Sequence, residues 1–104
     1  MITIDFLGEN VSLELVEHRY TDNNRLAIRA MERVLGTNNL SPFGMLTVNI
    51  PDADLADDEV CIKVWSENAS WVPQVLAALK DKMIPTGREV PTGFVRAPVY
   101  KIVS

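Results

Sequence analysis

Five carboxylate side chains crowd into one nine-residue segment, residues 51–59, which is named the acidic loop from here on. They are Asp52, Asp54, Asp57, Asp58 and Glu59. Oxygen ligands at this density suit a hard cation such as Ca²⁺. A calcium loop, however, needs ligands at fixed alternate positions and a glycine at its sharp turn, and this segment contains no glycine. We therefore predict no metal site here.

Two further interpretations of the acidic loop remain. A strip of carboxylates imitates the charge of a phosphate backbone, so it could occupy a protein that binds nucleic acid. A proline followed by polar and acidic residues is also typical of a solvated turn between two strands. The composition favours the solvated turn, and the functional hypothesis is a partner-binding surface made of the five carboxylates.

Side chains that usually perform nucleophilic or acid–base catalysis are scarce. His18 and Cys61 are the only histidine and the only cysteine, so a triad or a histidine-based metal site would depend on one imidazole. Cys61 lies in an alternating apolar run, as a buried small hydrophobic residue does. Neither a phosphate-cradling glycine-rich loop nor a nucleophile elbow occurs. We predict no catalytic residues and no cofactor; a small enzyme that works through carboxylates is the alternative.

A second candidate surface combines aromatic and arginine side chains. Its members are Trp65, Arg88, Phe94 and Arg96. The bases of a single strand stack on aromatic rings beside arginine, so this set offers an alternative function in binding single-stranded nucleic acid. Aromatic side chains more often supply core area, and a net charge of −4 does not favour a protein that neutralises phosphates. A protein partner is therefore favoured over nucleic acid.

Length and composition predict one globular domain over residues 1–104. The apolar fraction of 47% and the charged fraction of 23% are ordinary for such a domain. A single cysteine excludes an intramolecular disulfide, and the first residues lack the basic start of a secretory leader, so we predict the cytosol. Apolar runs are all shorter than the roughly 20 residues of a membrane helix, so we predict no membrane partner.

Period-two apolar patterns predict most of the sheet. Residues 2–6 and 11–15 alternate on either side of a short polar turn and predict an N-terminal hairpin. Residues 45–50 and 60–65 are rich in β-branched side chains and predict two strands, with the acidic loop capping the pair at one end. Residues 99–103 predict a terminal strand. An exposed edge near Ile2 or Val99 would allow pairing across a dimer axis.

Other segments predict one helix and several turns. Residues 70–83 predict an amphipathic helix, because apolar side chains recur at helical spacing and Pro73 falls in the first turn. Residues 25–35 fit a helix by propensity and a strand by alternation. Two Pro-Thr-Gly tripeptides, at residues 85–87 and 91–93, predict tight turns. The whole predicts an α+β domain: one twisted antiparallel sheet of five or six strands with one helix packed on a face.

Four short segments occur in an order that resembles a known family. They are residues 24–28 (Asn-Arg-Leu-Ala-Ile), 42–49 (Pro-Phe-Gly-Met-Leu-Thr-Val-Asn), 64–68 (Val-Trp-Ser-Glu-Asn), and the Pro-Thr-Gly of 85–87 that continues to Gly93 and Phe94. Over about residues 2–100 the chain resembles a family of small proteins found on plasmids, phages and conjugative elements. That family is known as a domain of unknown function, family 4313.

The resemblance implies a strand from Arg25 to about Arg33, paired with the Leu-Thr-Val-Asn segment at residues 46–49. This sequence departs from the family pattern by a longer insert at residues 31–40, where a short helix stays open. The family has no assigned catalytic residues, so none is carried over. Its genomic setting implies an accessory role in countering host defence, in plasmid upkeep or in transfer. We therefore predict a small cytosolic accessory protein that binds another protein without catalysis.

Overall fold

The computed structural model of the protein describes residues 1–34 and 36–103; Leu35 and Ser104, which end the predicted segments 25–35 and 1–104, lie outside the described residues. Eight strands are seen in this part of the chain: β1 (Ile2–Phe6), β2 (Glu9–Arg19), β3 (Leu26–Arg33), β4 (Leu40–Met45), β5 (Thr47–Val48), β6 (Glu59–Ile62), β7 (Met83–Thr92) and β8 (Val95–Ile102). A 3₁₀ helix, η1 (Ser66–Ser70), and an α-helix, α1 (Val72–Ala78), lie between β6 and β7.

The strands form two antiparallel sheets of four strands each. The first sheet has the order β1-β2-β3-β4, and the second has the order β5-β6-β8-β7. The α+β class and the antiparallel pairing are confirmed, whereas the prediction of a single sheet of five or six strands is wrong. The prediction of an edge near Val99 is also wrong, because β8 lies between β6 and β7, while β1, which carries Ile2, is an edge strand.

The single-sheet prediction failed because one continuous stretch of chain serves both sheets. The N–H of Leu46 donates to the carbonyl of Ile28 in β3 (3.0 Å), and the carbonyl of Leu46 accepts from the N–H of Lys63 just after β6 (2.9 Å). Leu46 therefore joins the end of β4 to the start of β5 and to both sheets at once. The period-two pattern shifts its phase here, since the apolar positions are 43 and 45 and then 46, 48 and 50, but a shift of phase does not show that the two halves join different sheets.

The main core lies between the inner faces of the two sheets. Its largest fully buried aliphatic side chains come from both sheets and include Ile4, Leu13, Leu46 and Ile62. Trp71, between η1 and α1, packs against one side of the core. Its ring makes an edge-to-face contact with that of Phe43, with 5.3 Å between the ring centroids. Burial of these apolar surfaces is the main force that holds the sheets together.

The helix is shorter than predicted. In place of one helix over residues 70–83, the chain forms η1 and then seven residues of α1, and Met83 already begins β7. Leu79 and Met83 follow the helical spacing because the Met83 N–H donates to the Leu79 carbonyl (2.8 Å) in the turn that leaves the helix. Asn68, which precedes the predicted helix, is buried and donates from its side chain to the carbonyls of Met45 (2.7 Å) and Lys63 (2.9 Å). None of the described helices is long and apolar enough to cross a membrane.

The predictions for the first 33 residues agree with the structure more closely than the prediction of the helix does. The hairpin is confirmed by the antiparallel pairing of β1 with β2 through a turn at Leu7 and Gly8, whose φ angles are +54° and +81°. The strand implied for residues 25–33 is confirmed as β3. Its strand partners are β2 and β4 rather than the segment at residues 46–49, of which only Leu46 and Thr47 bond to β3. Within the described part of the 31–40 insert, strand and turn take the place of a helix.

A second, smaller core lies on the outer face of the second sheet. Cys61, Ala97 and Val99 are buried there together with Ala53 of the acidic loop, and Trp65 packs against them. The acidic loop therefore folds over the outer face of the sheet, whereas the sequence predicted that it would cap the ends of two strands. Residues of the second sheet are thus buried on both faces, which explains the unbroken apolar run Val60, Cys61 and Ile62.

Candidate binding surface at the acidic loop

The acidic loop is held at its start by an arginine from outside it. Arg25 follows the turn after β2 and donates from Nη1 to the carbonyl of Ile50 (3.0 Å) and from Nη2 to the carbonyl of Ala53 (2.5 Å). Its own N–H donates to the side chain of Asn23 (3.2 Å), which in turn donates to the side chain of Asn49 (2.9 Å). The turn between β2 and β3 and the start of the acidic loop are therefore fixed to each other.

A second arginine holds the far end of the loop. Arg88 donates from Nη1 to both carboxylate oxygens of Glu59 (3.1 and 3.2 Å) and from Nη2 to the carbonyl of Asp54. Such charge-assisted bonds are stronger and more directional than neutral ones. The structure therefore joins residues from the two surfaces that the sequence predicted as alternatives.

A bulge in β7 aims Arg88 at the loop. The pairing of β7 with β8 shifts in register between Pro85 and Glu89, and Gly87 has φ +83°. Thr86 donates from its hydroxyl to the carbonyl of Val99 (2.8 Å) and accepts the N–H of Arg88 (3.2 Å), which fixes the bulge. Bulges commonly redirect a side chain in this way. The first Pro-Thr-Gly tripeptide is thus a bulge within a strand and not the predicted tight turn, whereas the second leads into the hairpin turn after β7.

Glu59 is the carboxylate of the acidic loop that is engaged in hydrogen bonds within the protein. It accepts the N–H of Ala56 (2.9 Å) as well as the two bonds from Arg88, and its side chain is 13% exposed. The Ala56 N–H, followed by the Arg88 guanidinium, lowers the pKa of Glu59 below its ordinary value. Glu59 is therefore ionised at neutral pH and acts as an internal anchor of the loop.

The other carboxylates point outward. Asp58 lies 3.7 Å from the ammonium group of Lys101, in an exposed ion pair. Asp52, Asp54 and Asp57 are exposed, and the ion pairs found among the described residues do not include them. Within residues 1–34 and 36–103, no group of three or more histidine, cysteine or acidic side chains is arranged to hold a metal ion. The loop thus displays three uncompensated negative charges on a fixed main chain.

The underside of the loop is apolar and covers the only cysteine. Ala53 and Leu55 pack in the second core with Cys61. Burial raises the pKa of the Cys61 thiol, although Arg25 and Arg88 oppose the effect. The thiol is therefore neutral at physiological pH, in keeping with the interpretation of Cys61 as a buried apolar residue.

The four residues of the second predicted surface are divided by the fold. Trp65 packs in the second core, and Arg88 is bonded to the acidic loop. Arg96 lies on the opposite face of β8 from Ala97, which packs with Trp65, and it pairs with Glu89 (3.4 Å). Phe94 is fully exposed at the turn between β7 and β8. The fold thus does not bring the four side chains together on one face.

Sequence reasoning missed the part played by Arg25. Its bonds go to main-chain carbonyls about 25 residues away, which leave no pattern of side-chain types to detect. Comparison with protein-family models, with curated proteins and with solved structures found no match for this chain. The interpretation of the acidic loop therefore depends on its own geometry.

Proposed function

We propose that this protein is a non-catalytic binding module that presents the acidic loop to a basic surface of another protein. The observation that carries the proposal is the pair of arginine anchors. Arg25 and Arg88 bond mainly to the loop main chain and to Glu59, so the side chains of Asp52, Asp54 and Asp57 stay exposed. A loop that is ordered before binding loses less conformational entropy when its partner binds.

The chemistry of the loop supports a basic partner. Complementary charge speeds the encounter of two proteins and disfavours partners of the wrong sign. Proteins that bind nucleic acid carry clustered lysine and arginine, and a rigid row of carboxylates can occupy such a surface in place of phosphates. A basic, nucleic-acid-binding protein is therefore the partner class that we propose.

The resemblance to proteins of plasmids, phages and conjugative elements supports an accessory role in the biology of a mobile element. Interference with a host defence protein that binds nucleic acid would fit both the acidic loop and that setting. The cytosol is the proposed location, because a single reduced cysteine suits a reducing compartment.

The test is a quantitative affinity capture from cytosol of the source cells with matched charge variants. One variant carries Asp52→Asn, Asp54→Asn and Asp57→Asn. The control carries three changes of the same kind at exposed acids outside the loop, Asp5→Asn, Glu9→Gln and Asp81→Asn. Both variants lose three negative charges, so a difference between them reports position and not net charge.

We expect the loop variant to lose the captured partner and the control to retain it. Salt should weaken the capture steeply, because exposed charges are screened over about 10 Å at 0.1 M salt. Equal capture by both variants would contradict the loop as the binding surface. Failure of wild-type protein to capture any stoichiometric partner would contradict the binding function itself.

A further inference from the structure

The central strand β2 is longer than its neighbour β1. β1 covers β2 from Glu9 to Leu13, and β3 covers the other side of β2 from Leu13 to Arg19. Beyond Leu13, the β1 side of β2 has no strand beside it in the part of the chain that the structure describes. β2 is thus an interior strand in its first half and an edge strand in its second half.

The register shows which main-chain groups face this open edge. Asp5 in β1 bonds through both its N–H (2.9 Å) and its carbonyl (2.8 Å) to the side chain of Gln74, so these groups point away from β2. Hydrogen-bonded and non-bonded pairs alternate along an antiparallel ladder, so the bonds between β1 and β2 fall at Val11 and Leu13. By the same alternation, Leu15, Glu17 and Arg19 direct their N–H and carbonyl groups to the open edge.

The hydrogen bonds on the side of β3 that faces away from β2 agree with this assignment. Ile28 receives the Leu46 N–H at its carbonyl and donates its own N–H to the hydroxyl of Thr47 (3.0 Å), so it faces away from β2. Its neighbours in β3 must then bond to β2, and their register partners there are Val16 and His18. The even-numbered residues of β2 are therefore engaged with β3, and the odd-numbered ones are not.

An apolar groove runs beside the open edge. One part has a volume of about 440 Å³. Glu17 and Lys82 contribute to its lining, and the rest of the lining is apolar: Leu15, Ile28, Leu79, Met83, Ile102 and Val103. A second part, of about 340 Å³, shares Leu15 and Leu79 and continues toward Met1. A strand added to the edge would place every second side chain over this groove.

Glu17 supplies a charge on the same face. Its register partner is Ile28, whose side chain packs in the main core, so the Glu17 carboxylate lies on the inner face of β2, at the rim of the groove. The ion pairs found within residues 1–34 and 36–103 do not include Glu17. Arg19 follows two positions later on the same edge.

We infer that the open edge of β2 binds an extended segment of a partner protein, which adds as an antiparallel strand. The segment carries an apolar residue opposite Leu15, a lysine or arginine opposite Glu17 and an acidic residue opposite Arg19. Directly opposed side chains of unlike charge stabilise a strand pair. The inference shares with the proposed function the premise that the partner is a protein, and it assigns a surface distinct from the acidic loop.

A second copy of this chain is a poorer occupant. Two β2 edges that paired with Glu17 at the centre would set two carboxylates directly opposite each other, and such like-charged pairs are destabilising. Pairing centred on His18 would instead set Glu17 opposite Arg19 of the second copy, but it would place Thr21, in the turn after β2, opposite Leu15, so the groove would gain no apolar side chain. A separate segment can supply the two unlike charges and the apolar residue together.

The outer side of β1 is occupied at Asp5 by the side chain of Gln74 from α1. The second half of β2 is therefore the accessible edge on this side of the sheet.

The experiment begins with amide hydrogen exchange of the intact free protein, measured by NMR. The N–H groups of Leu15 and Glu17 should exchange rapidly, while those of Val16 and His18 should be protected. Protection of Leu15 and Glu17 in the free protein would overturn the inference, because it would show that the edge is already occupied.

The second step is an NMR titration with two blocked peptides of identical composition. The first, Thr-Glu-Thr-Lys-Thr-Ile, places lysine opposite Glu17 and glutamate opposite Arg19; the second exchanges the lysine and the glutamate. We expect the first peptide to bind about tenfold more tightly, because two cross-strand charge pairs change sign. We also expect it to slow exchange at Leu15 and Glu17.

A charge-swapped protein, with Glu17→Lys and Arg19→Glu, should reverse the preference, while Glu9→Gln on the same strand should leave it unchanged. Equal affinity for the two peptides, absence of binding, or shift changes centred on the acidic loop would each overturn the inference. The acidic loop is unaltered in all these proteins. Failure here is therefore distinguishable from failure of the loop in affinity capture.

Discussion

Replacing Arg88 with glutamine should destabilise the fold by removing the anchor at the far end of the acidic loop. Arg88 makes two bonds to the Glu59 carboxylate and one to the Asp54 carbonyl. Hydrogen bonds to charged groups contribute about 1.5–3 kcal/mol when they are sheltered, and exposed ion pairs contribute about 0–1 kcal/mol. Arg88 is 48% exposed and Glu59 is 13% exposed, so the loss should lie between these limits, at about 1–2 kcal/mol.

The assay is thermal and urea unfolding followed by circular dichroism. For a domain of this size we expect the midpoint temperature to fall by roughly 5–10 °C. Arg88→Lys should recover less than half of the loss, because an ammonium group keeps the charge but cannot make the parallel bonds of a guanidinium. The matched control is Arg96→Gln in the same hairpin, whose pair with Glu89 is exposed on both sides and should contribute under about 0.5 kcal/mol.

A double-mutant cycle makes this prediction sharper. Arg88→Gln and Glu59→Gln should be non-additive by about 1 kcal/mol, because each change removes the same contact. The glutamine at position 59 retains an oxygen for the Ala56 N–H, so that bond is preserved in every corner of the cycle. Additive effects, or a midpoint for Arg88→Gln equal to that of Arg96→Gln, would refute the interpretation of Arg88 as a loop anchor.

Three further predictions concern Glu59, Gly44 and Phe94. Because the folded-state pKa of Glu59 is lowered, its ionised form stabilises the fold at neutral pH, and this contribution is lost as the pH falls through the ordinary pKa toward the lowered one. Urea unfolding between neutral pH and about pH 3 should therefore show a flatter acid limb for Glu59→Gln than for wild type; parallel limbs would contradict it. A Cβ at Gly44 would lie 3.1 Å from the Trp71 ring, so Gly44→Ala should cost about 1–2 kcal/mol in urea unfolding, and unchanged stability would argue against that close approach. Phe94 is fully exposed, so Phe94→Ser should change stability by less than about 0.5 kcal/mol. We also expect neither this variant nor wild type to bind labelled single-stranded oligonucleotides; salt-sensitive binding that Phe94→Ser abolishes would favour the nucleic-acid alternative.

Local patterns in the sequence were sufficient for the hairpin of β1 and β2. They also predicted the pairing of β5 with β6, although the predicted strands over residues 45–50 and 60–65 are longer than the observed Thr47–Val48 and Glu59–Ile62. In these elements the alternating side chains and the turn residues agree, so neighbours along the chain decide the structure. The strand over residues 26–33 was ambiguous by propensity, because alanine, methionine and arginine all favour a helix. Burial of Ala27, Ile28 and Ala30 between neighbouring strands overrides that preference.

The features that could not be predicted from the sequence depend on contacts between residues that are far apart along the chain. The change of sheet at Leu46 requires partners on both β3 and β6. The bulge that aims Arg88 is visible only through the register of β7 against β8, since the two Pro-Thr-Gly tripeptides look alike and fold differently. The open half of β2 also arises from unequal strand lengths and not from a motif.

For the candidate surfaces, the sequence predicted the five carboxylates as a surface but not the arginines that order it. Glu59 and Arg88 are separated by 29 residues, and they were assigned to different surfaces. The fold divides the five carboxylates into Glu59, which anchors the loop, Asp58, which pairs with Lys101, and three that stay exposed. That division depends on side-chain geometry that composition does not encode.

The central claim is that an ordered acidic loop binds a basic partner, and calorimetric titration of the captured partner with Arg88→Gln tests it most directly. This variant keeps all five carboxylates and removes a positive charge beside them, so electrostatics alone would strengthen binding of a basic partner. Fixing the backbone of one residue costs roughly 1–2 kcal/mol, so re-ordering a single loop residue on binding is enough to weaken the affinity about fivefold, and we predict at least that loss relative to wild type. Equal or tighter binding by Arg88→Gln would contradict the claim.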